Sequence, residues 1–407
     1  MRMSSSMLTE LSVNSILQEQ TALSKTQGQL SSGKRVQTPS DDPVAAVQLA
    51  ELNSSQLQST QYTSNGATAS SRLTLEEQAL SDSTSTLQSI RDLVVQANSG
   101  SNNASDLAAI ATQVQSLQQQ LLGIGNRQDA QGEYLFSGYS TGATPFVRSS
   151  SGTISYVGDT GARSIALDAD TSVQMSDTGS SVFMNIPGGN GVFTTAAGGG
   201  NTGSGVIDAG SVTNASNWAP GQYTITFTDA THWKVTDSAG NPVTDASGNP
   251  ITGTYDPTAG GSIAFKGVQI GITGSPATGD TFTVASAGQQ GVFATLEKLT
   301  SALNNAGSTA AARAQLTSQL NGSLSQIDQA LDHMNTVSAS IGGRLNLIDN
   351  VKNSLTTQST TVAAEISNLG DVDYVTATAQ YSQQYTSLQA AESAYAKTAQ
   401  LSLFSYL

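Results

Sequence analysis

The sequence predicts an α+β multidomain protein: both ends of the chain form an elongated antiparallel helical bundle or coiled coil, and a mostly antiparallel β region is inserted between them. Two observations predict it. Apolar residues recur in a 4-3 alternation from Leu320 to Leu369, through Ile327, Leu331, Met334, Ile341, Leu345, Ile348, Leu355, Val362 and Ile366, interrupted only at Ser338, Lys352 and Ser359. Two apolar positions in seven make a narrow seam on one long helix, stable only when another helix covers it. At ~1.5 Å per residue that helix spans roughly 75 Å, more than a compact domain needs. The second observation is where the turn formers lie. Of 39 glycines, 28 fall between Gly132 and Gly291, with seven of the nine prolines and both tryptophans. The middle is therefore turn-rich and the ends are helical.

A chain of 407 residues exceeds what one hydrophobic core usually organises. The pattern divides it into an N-terminal helical arm (1–42) that pairs with a C-terminal arm (371–407), N-terminal rod helices (43–136), a first β segment (137–186), an outer β domain (187–291) and a C-terminal rod helix (292–370).

Each element has its own signal. In the N-terminal arm Ile16, Leu23 and Leu30 recur at sevens, but Gln20 and Gln27 take the alternating seam positions. That stripe buries too little to offset about 1–2 kcal/mol of backbone entropy per residue, so the arm is expected to order only against partners. Gly33 supplies a C-cap, and Ser40-Asp41-Asp42-Pro43 supplies N-cap candidates and a first-turn proline for the next helix. The seam of that helix includes Leu52, Leu73, Leu80, Leu87 and Val94, before Asn98-Ser99-Gly100 breaks it. A third helix is expected from about Asp106, with Leu107, Ile110, Val114, Leu117, Leu121 and Ile124 spaced by threes and fours.

After Phe136 the period shortens to alternating runs such as Thr153 to Val157 and Tyr223 to Phe227, which read as strands. Within them an eight-residue unit occurs twice, from Asp237 to Thr244 and from Asp245 to Thr252. Each copy offers Asp to open a turn and Gly for a positive φ, which favours successive β-turns. A calcium loop is the sharper alternative, but one acidic residue per copy is a poor oxygen shell. The C-terminal arm carries Tyr381, Tyr385, Leu388, Ala391, Tyr395, Ala399 and Leu403 on or beside one face. A terminal aromatic face suits a partner helix or a lattice neighbour, with packing onto the chain's own rod as the alternative.

Composition excludes several functions. Charged residues make up 11%, against about 25% in average soluble proteins, so surface ion pairs are not the main cohesion. A formal charge of -14 argues against nucleic-acid or anionic-membrane partners. There is no cysteine, hence no disulfide, thiol chemistry or Cys-ligated metal. No apolar run has the length of a signal peptide or of a membrane span. The run from Gly28 to Arg35 matches phosphate-loop spacing except that Arg35 stands where a magnesium-binding hydroxyl is needed, and it follows a helix rather than a strand. The only histidines are His232 and His333; the latter is next to Met334 of the seam and expected to be exposed. The carboxylate pairs Asp168/Asp170, Asp371/Asp373 and Glu76/Glu77 read as solvated acids, and a carboxylate-only glycosidase is the one enzymatic alternative left open. No catalytic, cofactor or metal site is expected.

The string LSSGKRVQTPSDDPVAA, Leu30 to Ala46, resembles the N-terminal signature of the bacterial flagellin superfamily. At the other end, Gly343-Arg344-Leu345-Asn346 and Asp371-Val372-Asp373-Tyr374, followed by Ala377, Gln384, Leu388 and Gln389, resemble its C-terminal signature. Within the superfamily, the start from Met1 to Met7, the Asp41-Asp42-Pro43 variant, Tyr134 to Gly138, Pro145-Phe146 and Tyr156 to Asp159 are similar to the hook-associated protein 3 family. The resemblance covers the helical ends and the first β segment, about two thirds of the chain, and only loosely residues 187–291.

The resemblance implies a structural protein at the hook–filament junction, exported unfolded by the flagellar type III apparatus and located outside the cell. It implies hook-associated protein 1 and flagellin as partners, self-association in a ring, and an export chaperone on the C-terminal arm. The residues expected to carry assembly are Ile16, Leu23, Leu30, Tyr381, Tyr385, Leu388, Tyr395 and Leu403. Two alternatives remain at this stage: a filament-forming flagellin, against which the Asp-Asp-Pro variant weighs, and a secreted adhesin or carbohydrate-active protein built on the β insertion.

Overall fold

The computed structural model describes the chain from Ser5 to Phe404, with side chains described at Met7 and from Thr9 to Lys397. Helices α1 (Ser5–Ser32), α2 (Pro43–Ala97) and α3 (Ala104–Gly125) precede the β region; α4 (Val292–Asn304), α5 (Ala310–Gly370) and α6 (Tyr374–Phe404) follow it. The chain divides into two compact units, residues 1–65 with 350–407 and residues 66–349.

The larger unit holds most of the buried apolar surface. In it α2 and α5 run antiparallel: Arg91 Nε donates to Asp328 Oδ1 at 2.7 Å, and one heptad on along each helix Asn98 Nδ2 donates to Asn321 Oδ1 at 3.2 Å. The seam residues Leu73, Leu80, Leu87 and Val94 are buried, as are Ile327, Met334, Ile341 and Ile348. Alternate α5 positions, Leu324, Leu331 and Leu345, are only half-buried. On α2 a second buried line follows Ala69, Glu76, Ser83, Ile90 and Ala97. Spaced by sevens, it completes the heptad with small and polar residues that a search for apolar periodicity does not register.

Four expectations need correction. Glu76 is not solvated. It lies on that second line with 1% of its surface exposed, its Oε1 accepting the backbone N–H of Asp177 at 2.9 Å. His333 is half-buried, its Nε2 within 2.7 Å of the carbonyl of Ser181. Residues 292–370 form two helices, because Asn305-Ala306-Gly307-Ser308 ends α4 and Thr309 Oγ1 accepts the N–H of Ala312 to start α5. The third helix begins two residues earlier than expected, with Asn103 and Asp106 forming a reciprocal capping box.

The first β segment contains the hairpins β1 (Phe146–Arg148) with β2 (Ile154–Tyr156) and β3 (Ser164–Ala166) with β4 (Ser172–Gln174). Phe136, Phe146, Phe183 and Phe293 close against one another there, with ring centroids between 5.2 and 6.1 Å. A short ladder of β5 (Ile186–Pro187) and β15 (Gln289–Gln290) opens and closes the outer domain. That domain contains two sheets. One has the order β11-β10-β9-β14-β6, from β6 (Phe193–Ala197), β9 (Gln222–Phe227), β10 (His232–Asp237), β11 (Thr252–Thr254) and β14 (Thr281–Ser286). The other has β12 (Gly261–Phe265), β13 (Val268–Thr273) and β7 (Val206–Ile207), with β8 (Ser211–Val212) also on β13. Alternate residues face a shared core of Phe193, Ile225, Phe227, Ile263, Ile270 and Phe282 among others.

The duplicated unit forms two β-turns, with Gly240 N donating to Asp237 O and Gly248 N to Asp245 O at 3.0 and 3.1 Å. Both glycines have φ near +84°. Asp237 and Asp245 each use Oδ1 to accept two backbone N–H groups of their own turn, so these carboxylates cap turns.

Candidate assembly surface

The smaller unit is a set of helices without a core of its own. Among the described residues its buried hydrophobics are Ala45, Leu355, Val362 and Ala377, two of them alanines. Yet Met7, Leu11, Val13, Leu17, Val44, Val47, Leu57, Tyr374, Val375 and Tyr385 are exposed there, Leu57 at 72% and Val375 at 81%. Single exposed apolar residues are ordinary; a concentration of them in one region marks an interaction surface.

In this unit α1 packs along α6, and Thr26 Oγ1 donates to Gln384 Oε1 at 2.8 Å across 358 residues of sequence. Ile16, Leu23 and Leu30 of α1 and Tyr381, Leu388 and Tyr395 of α6 are half-buried. Tyr385 is exposed and stacks on Tyr381 with ring centroids 6.5 Å apart. Leu403 lies outside the residues whose side chains are described. Leu355 and Val362 continue the buried seam line of α5, and Ile366 is half-buried. The additional exposed residues, absent from the sequence-based set, do have a signal: Met7 with Leu11, Val13 with Leu17 and Val44 with Val47 stand three or four apart, and so share a helix face.

The signature string has a mechanical role. Gly33 ends α1 at φ +70°, where a β-carbon would be strained and would sit 3.0 Å from the Tyr374 hydroxyl. Arg35 N then donates to Gly370 O at 2.7 Å and Val372 N to Gly33 O at 2.9 Å, which straps the α1–α2 connection to the α5–α6 connection. Lys34 Nζ lies 2.6 Å from Asp371 Oδ1. The Arg35 guanidinium donates through Nε and Nη2 to the carbonyl of Leu369, at 3.2 and 2.7 Å, and through Nη1 to Asp42 at 3.1 Å. Cation and fork thus satisfy the C-terminal end of α5. Asp42 Oδ1 accepts the N–H of Ala45 as the cap of α2, and Asp41 collects Lys25, Thr38 and Gln37.

These bonds favour the ionised acids. Lys25 and the Thr38 amide hold Asp41 well below the ordinary carboxylate value, the Ala45 amide and Arg35 lower Asp42, and Lys34 with Ser367 lowers Asp371. Among the described residues, no group of three or more His, Asp or Glu that could hold a metal ion is present.

Family models locate the same regions. Residues 3–141 match the bacterial flagellin N-terminal helical region and residues 324–407 the bacterial flagellin C-terminal helical region. The crystal structure of Xanthomonas campestris FlgL superposes with a TM-score of 0.67 at 33% identity, covering 75% of this chain and 98% of that one. The chain belongs to the flagellin superfamily, in its hook-associated protein 3 (FlgL) branch. A second FlgL, described as the flagellar junction protein of Legionella pneumophila, gives a TM-score of 0.71 at 31% identity over 79% of this chain and 99% of that one. Hook-associated protein 3 of Escherichia coli (strain K12) is 38% identical over 188 residues, which is 46% of this chain and 58% of that protein. The match therefore spans little more than half of that curated relative. Within the outer β domain, residues 196–286 match the D2-like domain of flagellar hook-associated protein 1. None of the described helices of this FlgL-branch chain is long and apolar enough to cross a membrane.

Proposed function

We propose that this protein is a structural adaptor of the bacterial flagellum that joins the hook-associated ring to the flagellin filament, and that it performs no catalysis. The observation that carries this reading is the inversion in the smaller unit: residues 1–65 and 350–407, the outer parts of the two regions that match flagellin, bury the fewest apolar side chains and expose the most. Such a surface gains its stability when neighbouring subunits cover it. The likeness to FlgL, described in one relative as a flagellar junction protein, supports that place of assembly. Hook-associated protein 1 lies on one side, flagellin on the other, and further copies of the chain complete a ring.

In this reading residues 1–42 and 371–407 are the polymerising arms, with Ile16, Leu23, Leu30, Tyr381, Tyr385, Leu388, Tyr395 and Leu403 at their contacts. The α2–α5 seam forms the rod, and the outer β domain of residues 187–291 faces the medium. The chain leaves the cell unfolded through the flagellar type III apparatus, and the C-terminal arm is held by an export chaperone beforehand. Deleting the coding region tests the assignment. Hooks without filaments, with flagellin free in the medium, are expected. Hooks with no flagellin anywhere would make this chain the filament subunit, and intact filaments would end the flagellar reading.

A further inference from the structure

The string Gly343-Arg344-Leu345-Asn346 takes no part in the assembly surface described above. It lies within α5, directly after a second glycine, Gly342. A glycine inside a helix weakens it by about a factor of five relative to alanine. Glycine is needed where φ is positive or where another group comes too close for a β-carbon. Gly342 and Gly343 meet neither condition. Neither has a positive φ, and outside the adjoining helix backbone a β-carbon on either would have no atom within 4 Å. Gly66, the one glycine of α2, is similar: its β-carbon would meet Ile348 Cγ2 at 3.6 Å and Leu167 Cδ2 at 3.7 Å, both ordinary contacts. Ile348 is the buried seam residue that follows the pair on α5, so both helices are softened against each other. What the three glycines lend their helices is backbone freedom.

The pair also falls where the anchoring of α5 ends. Before it, side chains of α5 hold the chain between residues 181 and 207. Ser318 Oγ accepts the N–H of Ile207 at 3.2 Å, and Asn321 Nδ2 donates to the carbonyl of the same residue at 3.4 Å. Ser325 Oγ donates to the carbonyl of Gly189 at 2.7 Å, and Gln326 Oε1 accepts its N–H at 2.9 Å. His333 Nε2 lies 2.7 Å from the carbonyl of Ser181. At the pair itself, Arg344 donates through Nη1 to the carbonyl of Gln174 at 3.2 Å and through Nη2 to the Asp177 carboxylate. Further along, the hydroxyls of Thr356, Thr357, Thr360 and Thr361 donate to carbonyls four residues earlier in α5 itself. Back-bonding of that kind loosens a helix and does not anchor it. The larger unit ends at Asp349, just past the pair.

We propose that Gly342 and Gly343 form a bending joint in α5, pinned to the β region by Arg344, at which the helix changes direction by opening the few backbone hydrogen bonds that span the pair. The part of α5 before the joint stays fixed by its anchors. The inference concerns the isolated chain and does not rest on the junction role.

The chain has no cysteine, so nitroxide pairs can be placed on it without background. Asn335→Cys with Asp349→Cys spans the joint between two exposed positions, about 21 Å apart along a straight helix. Gln319→Cys with Asp332→Cys, also exposed, reports on the anchored part. Electron–electron resonance should give a broader distance distribution for the first pair than for the second. Gly342→Ala combined with Gly343→Ala should narrow the first to the width of the second. The same double substitution, in the unlabelled chain, should slow hydrogen exchange of the amides of residues 343–347 by roughly fivefold for each glycine replaced. Gly322→Ala, in the same helix and equally open but set between the anchors Asn321 and Ser325, should change neither result. Equal widths for the two pairs, or widths and exchange indifferent to the alanines, overturn the proposal and leave the glycines to the close approach of a neighbouring molecule. An equal response to Gly322→Ala overturns it as well, by making the effect one of helix propensity anywhere in α5. If a cysteine variant melts early, the exchange measurement, which needs no label, decides alone.

Discussion

At the residue level, Glu76 and Val375 show how differently two positions on these helices are constrained. Burial pushes the Glu76 carboxyl well above its ordinary value of 4.5, the charge of Asp177 pushes the same way, and the Asp177 amide with Arg344 and Arg72 only partly opposes them. Its Oε2 has no partner. A raised acid binds its proton more tightly in the folded state than in the unfolded one. Stability is therefore greatest below about 4.5 and falls as pH rises toward the folded value. Glu76→Gln mimics the protonated acid, so the urea midpoint of the variant relative to the parent should be higher at pH 8 than at pH 5. A difference that does not change with pH would mean Glu76 is ionised throughout. Val375, 81% exposed, touches little within its own subunit. Val375→Asp should change stability by less than about 0.5 kcal/mol, yet stop incorporation into flagella, as should Leu388→Asp. Met334→Ala, on the fully buried seam, should cost roughly 2–5 kcal/mol. Thermal melts set beside motility separate the two classes.

At the level of elements, the strap between the α1–α2 and α5–α6 connections depends on ionised carboxylates. Asp41, Asp42, Asp371 and Asp373 are all lowered from an ordinary value of 3.8. Lowered acids lend stability that is present above the ordinary value and is lost as pH falls through the folded one. Hydrogen exchange of residues 33–42 and 370–376, corrected for intrinsic rates, should be flat from pH 8 to pH 5 and rise only below about pH 4. Arg35→Ala should raise it at every pH. Arg35→Lys should not restore it, since one ammonium cannot fork onto the Leu369 carbonyl and Asp42 together. Elements of this kind were only partly legible in the sequence. The α5 seam could be read because nearly every heptad places Leu, Ile, Met or Val at the buried position. The second line of α2 could not, because Ala69, Glu76 and Ser83 occupy it, and Glu76 consequently looked solvated. The signature string announced a family without its mechanics, because Lys34 and Asp371 are 337 residues apart and meet only in the folded chain. Strand alternation identified β9, but not that β14 would pair with it across some fifty residues of intervening chain.

Across the whole molecule, cohesion is unevenly distributed. The unit of residues 66–349 contains the aromatic cluster, the seam and both large sheets, whereas the unit of residues 1–65 and 350–407 buries four small or aliphatic side chains among those described. Local stability follows buried apolar contact, so the helices of the smaller unit, residues 1–65 and 350–407, should be the cheapest to unfold in the isolated subunit. That asymmetry fits the role proposed above, in which the chain travels unfolded and then adds to a growing end, because the arms would become stable where a neighbour completes their packing. Hydrogen exchange on the isolated chain should show the amides of residues 9–32 and 374–397 exchanging orders of magnitude faster than those of residues 73–94. In purified hook–filament junctions the same arms should be protected to the level of α2. Equal protection in the isolated subunit would mean that α1 and α6 stabilise each other without neighbours. The exposed apolar residues would then be contact points on a preformed surface rather than the missing part of a core.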